Sequence, residues 1–464
     1  MHERTFHIMT FGCQMNVNDS DWLARALEAR GFTQVPEHEA AIYIINTCSV
    51  RDKPEQKVYS LLGRIRRETK NRRNVTVCVG GCVAQQIGKG FFKRFSQVRL
   101  VFGTDGAASA PQAIERLVQE PHARISLLDF SEEFPERDAG WENGEVPVSA
   151  YVNIMQGCNN FCAYCIVPYT RGRQKSRSSG AVLDECRTLV GNGAREITLL
   201  GQNVNSYGLD PHGDGTTFAR LLHDVAAIPG LERLRFMTPH PKDIAGEVIE
   251  AFGALKNLCP RVHLPLQSGS DRVLKAMGRK YDMARYMDIV TRLKAVRPDI
   301  QITSDLIVGF PGETEADFEQ TLEAMRTVPF VQSFSFIYSD RPGTRAEMLP
   351  VKLSREEKTA RLVRLQEVQN EYSEAALQAM VGKTVMVLFE SPSPKSAAGS
   401  GADAQNAAEE SGRTASSWQG RDEHGFILNV HLPAPADLYG KIMPVTVTAA
   451  RKHSLTGEPA GESC

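Results

Sequence analysis

The chain has 464 residues, 42% of them hydrophobic and 23% charged, with a formal net charge of −1. This composition is typical of a globular protein with two or three buried cores, and its bulk charge does not indicate nucleic-acid binding. The sequence shows no signal-peptide pattern and no apolar run as long as a membrane span. We expect a cytoplasmic protein without a membrane partner, in which ten cysteines indicate metal or catalytic sites rather than disulfides.

Residues 1–128 alternate short apolar runs with amphipathic helical patterns. The predicted strands are TFHIMTF, AIYIIN, NVTVCVGG, RLVFG and RISLL. This rhythm predicts an α/β domain with an open parallel sheet covered by helices. Residues 129–147 are acidic and aperiodic with Pro and Gly, which predicts a linker.

The strand and helix alternation resumes in residues 148–378. Six strands are predicted, namely SAYVNIM, REITLLGQ, RLRFM, RVHLPLQ, QITSDLIVGF and VQSFSFIY. Six units are too few for a closed eight-stranded barrel, so we predict a partial (β/α)6 barrel whose working face lies at the carboxyl ends of its strands. A long charged helix is predicted from about Arg355 to Met380.

The last segment, residues 379–455, changes character. GKTVMVLFE, GFILNVHL and GKIMPVTVTAARKHS are predicted strands of a small all-β barrel. Residues 391–417 between the first two strands are rich in Ser, Ala and Gly, which predicts a flexible insertion.

Three cysteines, Cys158, Cys162 and Cys165, follow the first predicted strand of the partial barrel within eight residues. Zinc sites built from cysteine usually have four ligands, and no second CxxC pair or nearby histidine completes this set. A four-iron cluster held by three thiolates would keep one iron open, as catalytic metal sites keep one position open. Three unconnected cysteines are the plainer alternative.

Three more cysteines, Cys13, Cys48 and Cys82, each come at or just after the end of a predicted strand. The carboxyl ends of parallel strands meet at one sheet edge, so these thiols can converge there. Cys78 alternates with valines inside a strand and is interpreted as a packed side chain, although it is a rival ligand. The cysteines interpreted as structural or incidental are Cys186, Cys259 and Cys464.

The pattern C-x-x-x-C-x-aromatic-C after a first barrel strand resembles the radical S-adenosylmethionine (SAM) enzymes. The resemblance implies that the open iron binds SAM and that Tyr164 lies near its adenine. LLGQN and LIVGFPGET stand where that superfamily contacts SAM, which makes Gln202, Gly309 and Gly312 candidate SAM contacts. Ordinary turn chemistry between strand and helix is the alternative for these two segments.

TFGCQMNVNDSD, NTCSVRDKPEQK and GCNNFCAYCIVPYTRGRQKSR resemble the methylthiotransferases, and the β-rich tail resembles their RNA-binding TRAM domain. The resemblance covers the chain outside the 391–417 insertion. It implies two [4Fe–4S] clusters, one that cleaves SAM reductively and an auxiliary one that supplies or carries sulfur. It also implies an electron donor such as flavodoxin or ferredoxin, and a sulfur-carrier or cluster-assembly protein.

The N-terminal motifs look like the branch of this family that modifies N6-isopentenyl-adenosine next to the tRNA anticodon. The ribosomal branch usually has Pro-Lys after the first cysteine and Gly-Phe after NTC, where this chain has Gln14-Met15 and Ser49-Val50. The alternatives are a methylthiotransferase for threonylcarbamoyl-adenosine in tRNA or for a ribosomal-protein aspartate.

Two basic stretches bear on the tRNA partner. RIRRETKNRR, residues 64–73, is more simply a solvated helix face. TRGRQKSR adjoins the three-cysteine loop, and its Arg171, Arg173 and Arg177 are candidate tRNA contacts. Rival classes are an iron–sulfur electron carrier and a metal-bound RNA-binding protein, and both would need a fourth ligand for each cysteine set.

Overall fold

The computed structural model describes residues 4–49, 54–72, 75–137, 146–393 and 415–460. The first domain is a six-stranded parallel sheet with strand order β2-β1-β3-β4-β5-β6. Its strands are β1 (Thr5–Thr10), β2 (Thr33–Gln34), β3 (Ile42–Thr47), β4 (Thr76–Gly81), β5 (Val98–Phe102) and β6 (Ile125–Leu127). The five predicted strands are confirmed, and the two-residue β2 was not predicted.

Helices cover both faces of this sheet. They are α1 (Gln14–Glu28), α2 (Pro54–Glu68), α3 (Cys82–Ile87), α4 (Gly90–Arg94) and α5 (Ala110–Gln119). Ile44 and Leu100 pack under one helical layer, whereas Ile45 and Val101 pack under the other. Side chains alternate in this way along strands buried on both faces. Cys78 is fully buried in the first of these cores, in agreement with its interpretation as a packed side chain.

The second domain is a six-stranded partial barrel, as predicted. Its strands form two parallel three-stranded sheets, ordered β11-β10-β7 and β12-β13-β14. The strands are β7 (Ser149–Asn153), β10 (Glu196–Leu200), β11 (Arg233–Phe236), β12 (Arg261–His263), β13 (Gln301–Val308) and β14 (Gln332–Ile337). A parallel bridge between Leu234 and Leu258 lies where the two sheets meet.

The barrel strands alternate with helices, most of which pack their apolar sides into one large core with the strands. These helices are α7 (Ser179–Gly191), α8 (Phe218–Ala226), α9 (Gly246–Ala254), α10 (Asp271–Met277), α11 (Met283–Val296), α12 (Glu315–Thr327) and α13 (Arg355–Gln378). Between β7 and α7 the chain adds β8 (Met155–Gln156), α6 (Val167–Thr170) and β9 (Lys175–Ser176). The expected linker 129–147 has no helix or strand at its described positions, and residues 138–145 lie outside them.

The last domain is a closed five-stranded barrel with strand order β15-β16-β17-β19-β18. Its strands are β15 (Thr384–Pro392), β16 (Ala415–Arg421), β17 (Ile427–Ala436), β18 (Ile442–Ala450) and β19 (Leu455–Pro459). The expected bounds need correction, because β15 and β16 extend into the predicted insertion 391–417 and β19 runs past residue 455. Residues 394–414 of that insertion lie outside the described chain.

The small barrel docks on the amino ends of the partial-barrel strands. Arg233, the first residue of β11, donates to the carbonyl oxygens of Arg421 and Met386, each at 2.7 Å. Arg261, the first residue of β12, donates to the carbonyl oxygen of His424 at 2.8 Å. The carboxyl ends of the strands therefore face away from the small barrel.

No helix in the described part of the chain is both long and apolar enough to cross a membrane.

Candidate functional site

Three cysteines lie on one loop, residues 157–165, which we call the barrel loop. Cys158, Cys162 and Cys165 follow β7 and β8 at the carboxyl end of the partial barrel. Gly157 opens the loop with a φ of 79°, and a Cβ atom there would lie 2.0 Å from the carbonyl oxygen of Arg173. Glycine is therefore required at the point where the loop leaves β8.

Main-chain hydrogen bonds fix the middle of the barrel loop from two sides. The Ala163 N–H donates to the carbonyl oxygen of Met277 at 2.7 Å, and the Ala346 N–H donates to that of Ala163 at 2.9 Å. Within the loop, the Cys165 N–H donates to the carbonyl oxygen of Cys162 at 3.0 Å. These bonds hold the two cysteines in a fixed turn.

Burial controls the charge of the barrel-loop thiols. It raises the pKa of Cys165 to about 12 and also raises the pKa of Cys158, so these thiols need a bound cation to ionise. Cys162 has polar neighbours, with its Sγ 3.6 Å from Arg279 Nη1 and 4.0 Å from His240 Nε2. Burial and the charge of Arg279 hold the pKa of His240 well below its usual range, so the imidazole is neutral.

Tyr164, the predicted adenine neighbour, lies inside the barrel face. Arg279 Nη1 donates to its hydroxyl at 3.4 Å, and Arg279 Nη2 donates to the carbonyl oxygen of Pro265 at 3.1 Å. Tyr164 also packs in the small apolar cluster that contains Phe310. Sequence reasoning missed Arg279 and His240, since neither belongs to a recognisable local pattern.

The predicted glycine segment forms a constrained turn after β13. Gly309 and Gly312 have φ values of 73° and 81°, which favour glycine. The Gly309 N–H donates to Glu313 Oε2 at 2.7 Å, and Arg361 Nη1 of α13 donates to the same oxygen at 2.7 Å. The Gly312 N–H donates to the carbonyl oxygen of Val351 at 2.9 Å. The turn is thereby tied to the helix that follows the barrel.

Cys13, Cys48 and Cys82 follow the neighbouring parallel strands β1, β3 and β4. The register pairs Thr47 with Gly81, so Cys48 and Cys82 leave the sheet side by side. Cys48 and Cys82 are 5% and 3% exposed, and Cys13 is half-buried. The structure brings these three cysteines to one sheet edge, and we call this set the N-terminal cysteine site.

Asn16 organises the N-terminal cysteine site. Its Oδ1 lies 3.4 Å from Cys13 Sγ, and its Nδ2 donates to the carbonyl oxygen of Thr47 at 2.9 Å. A hydrogen bond with Cys48, assisted by the positive charge of Arg171, lowers the pKa of Cys13 to about 5 although burial opposes this. Cys13 is therefore predisposed to act as a thiolate ligand.

The three arginines that are candidate tRNA contacts have different environments. Arg171 is 3% exposed and donates through Nη2 to Asn16 Oδ1 at 3.0 Å. The buried Arg177 guanidinium pairs with Glu185 at 2.5 Å. Arg173 alone of the three is exposed. The tRNA prediction is therefore corrected for Arg171 and Arg177, because their guanidinium groups bind protein atoms instead of facing solvent.

Gln202 lies between the two cysteine sets. Its Oε1 accepts from the Gly157 N–H at 2.5 Å, beside the barrel loop. Its Nε2 contacts the sulfur of Met15, two residues after Cys13. Arg171 Nη1 is 3.7 Å from the same sulfur. The predicted SAM contact therefore also connects the partial barrel to the N-terminal cysteine site.

The donor geometry fits a multi-iron cluster better than a single ion. In the described part of the chain, three potential ligand atoms lie within 4.8 Å of one another at Asp299, Glu423 and His424. The three sulfur atoms of neither cysteine set meet this limit. A zinc ion would need its thiolates at that spacing and would need a fourth ligand. Three thiolates without a fourth ligand suit a [4Fe–4S] cluster that keeps one iron open.

Two family models match the chain. Residues 152–325 match the Radical SAM superfamily, and residues 5–103 match uncharacterized protein family UPF0004. A solved radical S-adenosylmethionine methyltransferase from Kitasatospora setae, with cobalamin and a [4Fe-4S] cluster bound, has a TM-score of 0.55 and 15% identity over 75% of this chain and 74% of that chain. At this identity the likeness shows the fold alone. Residues 152–325 therefore form a radical SAM domain.

Full-length relatives give the particular family. A tRNA-2-methylthio-N(6)-dimethylallyladenosine synthase from Oleidesulfovibrio alaskensis is 99% identical over 100% of both chains. Relatives of the same name are 67% identical in Nitratidesulfovibrio vulgaris and 44% identical in Geobacter metallireducens, over 99% of both chains in each case. The chain therefore belongs to the family of tRNA-2-methylthio-N(6)-dimethylallyladenosine synthases.

Proposed function

We propose that this protein adds a methylthio group to C2 of N6-(dimethylallyl)adenosine next to the anticodon of tRNA. The observation that carries the proposal is the contact of Gln202 with Gly157 beside one cysteine set and with Met15 beside the other. The reaction breaks a C–H bond and forms a C–S bond at one carbon. Two cofactor sites that open toward the same nucleobase are suited to such a reaction.

Each cysteine set holds one [4Fe–4S] cluster in this proposal. Cys158, Cys162 and Cys165 hold the cluster of the radical SAM region, and the N-terminal cysteine site holds the auxiliary cluster. When bound, the two clusters supply the electron that cleaves SAM and the sulfur that is transferred. The chain's own residues orient the participants, with Tyr164 in the barrel loop, Gln202 beside it and the turn at Gly309 and Gly312 on the same face.

The RNA partner is bound by surfaces at both ends of the partial barrel. Arg173 is exposed beside the barrel loop and can contact a backbone phosphate. The small barrel at the opposite end supplies a second RNA contact. A base in the anticodon loop can be unstacked at low cost to reach the site. An electron donor such as flavodoxin or ferredoxin and a sulfur-carrier or cluster-assembly protein complete the cytoplasmic system.

The proposal predicts separate effects of the two cysteine sets. The triple variant C158A/C162A/C165A should lose SAM cleavage, whereas C13A/C48A/C82A should cleave SAM without methylthiolating tRNA. Each should bind about four irons per chain, against about eight in the wild type. Iron analysis and SAM cleavage assays after anaerobic reconstitution measure this.

Matched controls are the buried cysteines Cys186 and Cys259, whose alanine variants should keep all the iron. SAM cleavage by the barrel-loop triple variant would overturn the proposal, as would a wild-type chain with four irons.

Mass spectrometry of tRNA nucleosides from a deletion strain identifies the substrate. Loss of the methylthio-dimethylallyl nucleoside supports the proposal, and loss of methylthiolated threonylcarbamoyl-adenosine supports an alternative. Mass spectrometry of ribosomal proteins from the same strain tests the other alternative, which predicts loss of a methylthiolated aspartate. A metal-bound RNA-binding protein would cleave no SAM.

A further inference from the structure

A guanidinium from the radical SAM region lies beside the N-terminal cysteine site. Arg171 follows α6 and is 3% exposed. Its Nη2 donates to Asn16 Oδ1 at 3.0 Å, and its Nη1 lies 3.7 Å from the sulfur of Met15. Asn16 Oδ1 also lies 3.4 Å from Cys13 Sγ. The Asn16 side chain therefore contacts both Cys13, in its own domain, and Arg171, in the radical SAM region.

The charge of Arg171 acts on the whole N-terminal cysteine site. Burial works against the charged guanidinium, but Cys82, Cys13, Asp19 and Cys48 interact with it favourably and raise its pKa. Three thiolates in a buried site are a concentrated negative charge, and a cation beside them is strongly stabilising where water is excluded.

The contacts of Arg171 differ from those of an ordinary buried ion pair. Among the described residues, no carboxylate lies within ion-pair distance of Arg171, whose hydrogen-bond partners are the neutral Asn16 and Met15. The nearby Asp19 pairs with Arg137 at 2.6 Å instead. By contrast, Arg177 on the same segment pairs with Glu185 at 2.5 Å. The guanidinium of Arg171 therefore has no carboxylate bonded to it, and its charge acts on the cysteines and, from farther away, on Asp19.

We propose that Arg171 is the charge-compensating residue of the N-terminal cysteine site and raises the reduction potential of the cluster held there. The inference rests on the proposed function only in taking Cys13, Cys48 and Cys82 as cluster ligands. Reduction adds one negative charge to a cluster, and a neighbouring positive charge favours that state. The segment after the barrel loop thereby sets the electronic state of the neighbouring domain's cluster.

The test uses the full-length chain with C158A/C162A/C165A, so that the N-terminal cluster is the reporter. Into this parent we introduce R171Q, which removes the charge, or R171K, which keeps it. Midpoint potentials come from redox titration monitored by electron paramagnetic resonance, alongside iron content and circular dichroism. We expect a more negative potential for R171Q and a potential near that of the parent for R171K. The matched control R177Q should leave the potential unchanged.

The outcomes separate charge from shape. Loss of iron in R171Q but not in R171K supports charge compensation. Equal potentials in the parent, R171Q and R171K, with about four irons each, would overturn the inference. Loss of iron in both folded variants would also overturn it, because lysine keeps the charge. A parent without iron would instead refute the cluster assignment of the proposed function, and the inference would fail with it.

Discussion

Gly157 determines how the barrel loop leaves β8. Its φ is 79°, and an added Cβ would lie 2.0 Å from the carbonyl oxygen of Arg173. We predict that Gly157→Ala destabilises the protein by at least about 1–2 kcal/mol, the cost of a left-handed backbone at a residue with a side chain. It should also reduce iron binding by Cys158, Cys162 and Cys165. Urea unfolding and iron analysis measure the two effects.

Gly180 offers a matched control for this substitution. It lies in α7, and nothing approaches within 4 Å of its added Cβ. Gly180→Ala should therefore leave iron content unchanged and stabilise the helix by up to about 1 kcal/mol. Equal stability and equal iron content in the two alanine variants would contradict the role assigned to Gly157.

At the scale of single residues, the sequence is a better guide to the positions of the cysteines than to the roles of the arginines. The cysteines follow strands directly, so local spacing is enough to place their thiols at a sheet edge. Arg171 and Arg177 looked like RNA contacts because a sequence shows charge but not its partner. The partner of Arg171, Asn16, is 155 residues away, and only the folded chain reveals it.

At the scale of elements, a buried ion pair joins the end of β5 to β9. Asp105 accepts from the ammonium group of Lys175, and their side chains are 5% and 2% exposed. Asp105 also accepts from the Ser131 N–H at 2.7 Å. We predict that Asp105→Asn costs about 3–5 kcal/mol, because it leaves the lysine charge buried without a counter-charge. Urea unfolding measures the loss.

An exposed pair provides the control for Asp105→Asn. Arg116 of α5 and Glu120, the residue that follows this helix, lie 3.0 Å apart with side chains 61% and 53% exposed. Removing that pair with Glu120→Gln should cost about 0.3–0.5 kcal/mol. A similar cost for both substitutions would show that the Lys175 charge is solvated and that the pair does not join the domains.

The elements that the sequence did not reveal share a physical cause. β2 has two residues, too few for a visible period. β16, with the sequence ASSWQGR, lacks apolar alternation and was assigned in part to the insertion. β19, with the sequence LTGEP, contains Gly and Pro, which usually mark turns. Both barrel strands are specified by pairing with the strands on either side of them in the barrel rather than by local propensity.

On the scale of the whole molecule, a histidine lies where the small barrel meets the partial barrel. His424 Nε2 is 3.4 Å from Asp299 Oδ2, and its Nδ1 is 3.4 Å from Asp422 Oδ2. Burial opposes protonation, but the bond to Asp422 and the charges of Asp422, Glu423 and Asp299 outweigh it and raise the pKa of His424. The protonated imidazole therefore stabilises the docked barrel.

Because the folded pKa of His424 is raised, its contribution to the free energy of unfolding decreases as the pH rises. The stabilisation by His424 is complete below its unfolded pKa of about 6.5 and is lost as the pH rises through the higher folded value. Urea unfolding should therefore show a larger cost of His424→Gln at pH 5.5 than at pH 8.5. His223, exposed on α8, is the matched control. A cost that does not change with pH would contradict this role.

The position of Arg171 also has a consequence for biosynthesis. Arg171 lies 89 residues after Cys82, which at about 5–20 residues per second is a delay of about 4–18 s during translation. The three cysteines of the N-terminal domain thus leave the ribosome before the cation that acts on them. An iron–sulfur cluster delivered in that interval would meet the three cysteines before Arg171 is in place. We therefore expect stable cluster insertion only after the barrel loop and the segment that follows it have folded.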